Sequence, residues 1–530
     1  MSAIITSKFR LDTTTKFVDS LADNQFYMAI GRPNKWTAAG DDDVTPDTPF
    51  ERDDTNNTLW QNMFAMKKLD ATDVVHGAIK NIWTYNGTYA EYDDQDTELE
   101  NKIYFVTTLN NNVYICLKAG TLSTVDPDVL GIVTVGNHAK GADGYIWKYM
   151  FTIPTIDVTK FLTSSFIPVR HLKSDPILGS DLALENQWLV QVGAVDGAIY
   201  NMKVKAAGTG YATAPTLLVV GDGTNATATC TVSSGAINDI TMTNAGSGYT
   251  QAHVVITNSG ASTGTGGVIR PVIGPQGGFG ADPTNDLRAH YATLNKAFTG
   301  DEAAAGEAPV IPDSNDFRQI AILKNPIANT AAVTVSTSNV LTEGNFYKIE
   351  TLGTTDAAKW LLVGAADPTV GAVFKATDTS SASGGTGTVL SVASTNAYNV
   401  CKKMTVSHSN VSGSVTTFPV DQIIEGHSSG DNGLLRAKGQ VVEYLPNSGA
   451  SPTAGVISYI QNEVTGYGTF LETHYVREYT DGTGGAGRDI TAVTAPDITH
   501  NTGDVMFIEN KTKTSRNTDQ TETIRLVIAF

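Results

Sequence analysis

Few residues in this chain have the type and spacing that chemistry requires. Gly482-Thr483-Gly484-Gly485-Ala486-Gly487 matches the dinucleotide-binding pattern GxGxxG. A pyrophosphate at that turn needs a helix N-terminus behind it, whereas Arg488 to Val493 reads as a strand, so the segment is expected to be a loop. No glycine-rich stretch is followed by Lys-Ser/Thr, so the phosphate-cradling P-loop pattern is missing. The acidic runs Asp41-Asp42-Asp43 and Tyr92-Asp93-Asp94-Gln95-Asp96 offer oxygen ligands to calcium, but they lack the glycine and the distal glutamate of an EF-hand loop. Solvated acidic faces are the expectation there, with neither a metal nor a cofactor assigned. The nine histidines show neither HxH nor HExxH spacing, and the expectation is that no serine sits in a GxSxG nucleophile elbow. Carboxylate pairs for glycoside hydrolysis come from distant strands, so spacing leaves them open. Tyr145, Trp147, Tyr149 and Phe151 alternate at period two with Ile146 and Met150 between them, which predicts a strand buried on both faces rather than a base-stacking platform. No catalytic residue is assigned, and no interface residue is assigned.

The elements that would have to position such groups are turn-dense β structure. Fifty glycines, a charged fraction of 17% and many Thr, Asn, Ser and Val residues disfavour helical bundles, while 41% apolar residues supply enough material for cores over 530 residues. Net charge is 36 − 54 = −18. That argues against a sequence-independent grip on nucleic acid or anionic membrane, both of which need clustered Lys/Arg. Cys116, Cys230 and Cys401 are too few and too scattered for a disulfide framework or a zinc knuckle, so buried free thiols and synthesis in a reducing cytoplasm are expected. The N-terminus lacks the long apolar core of a signal peptide, and no later apolar run is long enough to span a bilayer.

One repeat stands out. Ala206-Ala207-Gly208-Thr209-Gly210-Tyr211 returns as Asn244-Ala245-Gly246-Ser247-Gly248-Tyr249, the tyrosine recurring 249 − 211 = 38 residues on. Each copy precedes a β-branched run, Pro215 to Val220 and Val254 to Thr257. The glycines allow φ > 0 at a turn, and the runs fit pleated strands. Two copies are too few for a solenoid, so a small all-β insert is predicted.

Elsewhere Asp12 or Thr13 is read as the cap of a helix carrying Phe17, Val18 and Leu21, followed by a strand from Phe26 to Ile30. A helix is predicted over Thr58 to Leu69 from Leu59, Met63 and Met66 at i, i+4 and i+7, and another over Asp286 to Phe298. Ile103 to Thr108 and Val113 to Lys118 read as a hairpin turning through Asn110-Asn111-Asn112. Further strands are expected over Tyr145 to Ile153, Asp316 to Leu323, Phe346 to Ile349, Ala372 to Ala376, Val505 to Glu509 and Thr523 to Phe530. The fold class is therefore mainly β with a few short helices (α+β), multi-domain, with a discontinuous β-rich core interrupted by all-β inserts. The expected boundaries are 1–189 core, 190–273 glycine-rich β insert, 274–332 core again, 333–399 second insert, 400–496 third insert and 497–530 closing core strands.

Several segments, in this order, resemble the homodimeric baseplate wedge protein family of T-even-like contractile-tailed bacteriophages. They are Ile4 to Arg10; Met28-Ala29-Ile30-Gly31-Arg32 with Trp36; Asn81-Ile82-Trp83-Thr84 with Tyr89 to Asp94; Gly144 to Pro154; Phe317-Arg318-Gln319-Ile320 with Asn325-Pro326; and Gly503 to Asn510 with Asp519 to Glu522 and Phe530. The resemblance covers about half the chain and leaves the inserts without a counterpart. It implies a non-enzymatic structural subunit of the virion tail baseplate, with itself and other wedge proteins as partners and no small-molecule substrate. It also implies that the two termini and the Trp147 strand meet in one folded body. Two rival expectations come from other classes: a receptor-binding or adhesin-type tail protein, suggested by the repeat-bearing insert, and a virion polysaccharide-degrading enzyme, suggested by Asp and Glu on β structure.

Overall fold

The computed structural model describes residues 5–36, 45–47, 53–133, 138–177, 179, 181–260, 262–299, 310–335, 341–377, 385–407, 418–428, 433–447, 454–479 and 487–530. Strand accounts for 44% and helix for 13%, so pairing between strands organises the chain, which is a β-rich, multi-domain α+β fold. It divides into two compact units, one made of Met1–Val18, Val74–Asn295 and Arg525–Phe530, the other of Asp19–Asp73 and Lys296–Ile524.

The first unit thus holds the Ser7 helix start, the Trp147 strand and Phe530. The helix runs Ser7–Ser20 and begins five residues before the predicted cap. Thr6 Oγ1 accepts the Phe9 N–H at 3.3 Å and takes the capping role. Asp12 and Thr13 lie inside the helix, where Thr13 and Thr14 satisfy their hydroxyls on the carbonyls of Phe9 and Arg10, both at 2.9 Å. Phe17 is buried, and its ring meets that of Phe530 at 5.5 Å.

Two four-stranded sheets build this unit's core. One runs in the order Phe105–Thr107, Asn112–Lys118, Ile146–Thr152, His138–Lys140; the other runs Thr521–Ala529, Tyr291–Thr299, Val74–Ile79, Phe166–Val169. Phe105, Val113, Ile115, Met150, Ile167 and Val169 share a fully buried cluster. On the far side of the first sheet Tyr89, Tyr145, Trp147, Tyr149 and Val190 form a second cluster. The aromatic strand is therefore buried on both faces. Phe151 departs from strict alternation and joins Met150, because the register with the neighbouring strand shifts there: Val113 faces Phe151 and Tyr114 faces Tyr149. The hairpin turn forms as predicted, with Asn111 at φ 61°. The helix expected over Asp286 to Phe298 does not form. A short helix, Pro283–Asp286, gives way to the Tyr291–Thr299 strand, whose Tyr291, Ala292, Thr293 and Leu294 pair with Gly77 through Val74. Pairing and burial outweigh a weak helical spacing here.

In the second unit a five-stranded sheet has the order Ala397–Asn399, Met63–Leu69, Phe26–Gly31, Asp316–Lys324, Asp504–Ser515. The predicted Thr58–Leu69 helix is half right. Helix spans Asp53–Asn62, then the chain turns into the Met63–Leu69 strand paired antiparallel with Phe26–Gly31. Met63, Phe64, Ala65 and Met66 are all buried, so this apolar run serves a sheet covered on both sides, and its chance i, i+4, i+7 spacing misleads. The Asp504–Ser515 strand outruns the expected Val505 to Glu509 because its pairing continues to Ser515 opposite Asp316. Strands between Val333 and Ser391 form a four-stranded sheet over Trp360, Tyr347, Ile349 and Val389. The helix there, Ala357–Leu362, was not anticipated; Asp356 caps it by accepting the Lys359 N–H. Lys402–Ser407 through Gly487–Thr494 close into a six-stranded barrel. Its interior is filled by Met404, Ile424, Val441, Ile457, Phe470 and Val476, so it encloses packed side chains rather than a ligand.

Candidate functional site

The glycine-tyrosine repeat folds as an interleaved pair. Gly208, Gly210, Gly246 and Gly248 take φ of 67°, 79°, 65° and 75°, the left-handed turn conformation that the repeat foretells. Each copy contributes three strands: Ile199–Thr209, Thr216–Gly221 and Thr227–Ser233 in the first, Ala236–Asn244, Ala252–Thr257 and Thr265–Ile273 in the second. The middle strands pair with each other, and the outer strands cross over, first with last and third with fourth. Neither copy completes a sheet by itself, and a local two-fold relationship results. Tyr211 and Tyr249 are buried at its centre, with Ile237, Ile240 and Ile269. On the outer face of the middle pair Leu218 lies opposite Val255, and they are 57% and 40% exposed, which makes this the module's apolar surface.

The acidic run behind Tyr92 holds this module in place. Arg270 Nη2 binds Asp93 Oδ1 at 2.5 Å and Nη1 binds Asp94 at 2.9 Å, while Lys203 reaches Asp93 at 2.8 Å and Glu91 at 2.9 Å. Lys118 pairs with Asp239 from another strand of the module. Burial pushes the Asp93 carboxyl up, but the hydrogen bonds from Lys203, the Gln95 N–H and Arg270 outweigh it and hold the group at about 2. Carboxylates read from spacing as solvated or calcium-ready are thus engaged by protein cations. Among the described residues no group of three or more His, Cys, Asp or Glu side chains could hold a metal ion. The Asp41-Asp42-Asp43 run and residues 482–486 of the GxGxxG segment lie outside the described residues; Gly487 starts a strand, as predicted for the chain after that loop.

A cavity of about 260 Å³ in the first unit is lined by Ser7, Lys8, Tyr92, Asn285, Asp286 and Arg288 among others. Asp286 is 4% exposed, and Asp286 Oδ2 accepts the Gly280 N–H at 2.6 Å. Burial pushes this carboxyl up to about 8, and the buried Lys148 ammonium is pushed down to about 8. Sequence spacing does not reveal this pair, since the two residues lie far apart along the chain. A carboxyl protonated at neutral pH can donate a hydrogen bond or a proton. The hydroxyl that lines the cavity as well, Ser7, is engaged by Glu100 and Arg288, and no imidazole lines it among the described residues, which assemble no serine-histidine constellation there.

The expectation that no serine sits in a GxSxG pattern needs correction, because the pattern occurs twice, at 260–264 and 426–430. Neither serine is placed as a nucleophile. Ser262 Oγ accepts the Ala212 N–H at 3.1 Å, and Ser428 Oγ accepts the Leu434 N–H at 3.1 Å. His427, next to Ser428, has its two ring nitrogens against the Gly433 carbonyl and Glu425. Cys116, Cys230 and Cys401 are free and buried, as expected. Among the described residues no helix is long and apolar enough to cross a membrane. No protein-family model and no curated protein matches this chain.

Proposed function

We propose that this protein is a structural subunit of a contractile phage tail baseplate wedge, forming a homodimer and docking against other wedge proteins in the virion. The observation that carries the proposal is a strand order. Phe26–Gly31, Asp316–Lys324 and Asp504–Ser515, which contain three of the segments resembling the wedge family, are consecutive neighbours in one sheet, with Ile30 opposite Ile320 and Ile322 opposite Phe507. Residues hundreds of positions apart thus build one framework, as a shared family core requires. The described side chains favour assembly over turnover. Asp93 and Asp73 pair with Arg270 and Lys296, and Leu109, Ile177 and Leu182 stand 92%, 82% and 70% exposed, apolar area available to a subunit contact.

Light scattering on the purified chain at micromolar concentration tests the dimer, with an expected mass near twice 56.1 kDa; a single-chain mass overturns it. A tagged copy located in a map of the assembled tail tests the wedge assignment, and density anywhere but the baseplate overturns that.

A further inference from the structure

The second unit contains an arginine, Arg32, without a counter-charge among the described residues. Arg32 follows a register break between Ile30 and Gly31 and takes φ 61°, a left-handed conformation uncommon for a residue with a Cβ. Its N–H donates to the Asn62 carbonyl at 2.9 Å, which fixes the backbone. Its guanidinium carbon lies 4.1 Å from the centre of the Trp36 ring, and Trp36 is itself held by donating from Nε1 to the Lys511 carbonyl at 3.0 Å. The side chain is therefore preorganised. Among the described residues it has neither a hydrogen-bond nor an ion-pair partner, and its Nε is buried without an acceptor. Burial lowers the proton affinity of the Arg32 guanidinium, and Arg318, 1% exposed and itself 3.5 Å from Asp316, lowers it further by repulsion. Holding an unpaired cation against a second one is costly.

Arg32 lines a cleft of about 500 Å³ together with Asn34, Lys35, Trp36, Gln61 and Glu463. Two cations against one carboxylate leave the lining at +1, a charge that one further carboxylate neutralises. With Nε buried, only the two terminal guanidinium nitrogens are left to meet an acceptor, and their spacing matches the two oxygens of a carboxylate. We infer that this cleft is a binding site for a carboxylate group, received end-on by Arg32 over the Trp36 ring, with Lys35 supplying the second charge.

The inference does not depend on the assembly reading, since the carboxylate can belong to a protein side chain or to an acidic sugar. The full chain, labelled with ¹⁵N-arginine, is titrated while the Arg32 Nε–H signal, assigned by its loss in Arg32→Met, is followed. The probes are N-acetyl-aspartate amide, galacturonate, N-acetyl-asparagine amide and inorganic phosphate. A saturable shift with either carboxylate is expected, and the responding compound identifies the source. Trp36 fluorescence gives a second readout, in which Arg32→Met should weaken carboxylate binding at least about tenfold and Arg32→Lys should be intermediate. Silence from both carboxylates up to roughly 100 mM, a matching response to the neutral asparagine compound, or phosphate binding as tightly as the carboxylates overturns the assignment.

Discussion

Tyr211 and Tyr249 exchange places across the repeat: each ring lies over a glycine that belongs to the other copy. A Cβ on Gly264 would fall 2.1 Å from the Tyr211 ring, and one on Gly223 would fall 2.4 Å from the Tyr249 ring. The match extends to the backbone. Gly208 approaches the Thr265 carbonyl as Gly246 approaches that of Thr224, at 2.6 and 2.5 Å from their would-be Cβ atoms. The module is held together by side chains that each copy lends the other.

Gly223→Ala and Gly264→Ala should therefore each destabilise the module by about 1–3 kcal/mol through overpacking against an aromatic ring. Hydrogen exchange of the 199–273 amides in the full chain is the measurement. Both substitutions are expected to speed exchange on the strands of both copies, and acceleration confined to the substituted copy would contradict the interleaved pairing.

Removing the cations that engage Asp93 should loosen the same module from a different side. Arg270→Met leaves a carboxylate whose side chain is 9% exposed with one partner fewer, a loss of about 1–3 kcal/mol. Because the folded-state affinity of Asp93 for protons is depressed to about 2, its contribution is complete above the unfolded value near 4 and disappears as pH falls toward 2. Urea midpoints of the parent and Asp93→Asn proteins should converge across that window; parallel curves from pH 5 to pH 2 would refute the role.

Asp286 predicts the opposite slope. Its folded carboxyl keeps the proton to about 8, whereas the unfolded one releases it near 4, so the folded state binds the extra proton between those values and stability falls as pH rises through them. The charged groups facing it are Asp282, which adds to the effect, and Lys148, which opposes it. Lys148, lowered to about 8 by burial, acts above that window. Asp286→Asn retains an acceptor for Gly280 and should gain on the parent from pH 5 to pH 8 in chemical denaturation. A pH-independent difference would show that the carboxyl ionises normally.

All three thiols should resist labelling in the native protein. Cys116, Cys230 and Cys401 are 0%, 8% and 1% exposed, and burial raises the proton affinity of each, which suppresses the reactive thiolate. A disulfide reagent is expected to modify three thiols in denaturant and none without it; rapid native labelling of any one would place it at the surface.

Local rules were legible where a single residue type enforces them. Asn111 and the paired glycines before Tyr211 and Tyr249 announce left-handed turns because few other residues take that conformation cheaply. The aromatic strand around Trp147 was visible because aromatic residues at period two, with Ile146 and Met150 between them, suit a strand covered on both faces, even though Lys148 is buried among them. The same cue failed at Met63–Leu69 and Tyr291–Thr299, where apolar spacing is compatible with a helix and the pairing partners, Phe26–Gly31 and Val74–Ile79, are distant or unmarked. Arg32 and Asp286 carried no signal of their own, since the burial that shifts Asp286 and the surroundings of Arg32 among the described residues are set by segments distant in the chain.

By itself the sequence determined the β-rich class, the turn positions, the acidity and the buried thiols, because these follow from backbone sterics and composition within a few residues. The packing of distant segments was needed to settle that the repeat copies interleave, that Phe530 packs on Phe17, that the acidic run binds Arg270 and that Arg32 stacks on Trp36 with no counter-charge among the described residues. Those outcomes depend on which distant strands bury one another's faces, and that choice depends on the whole core rather than on any one segment of it.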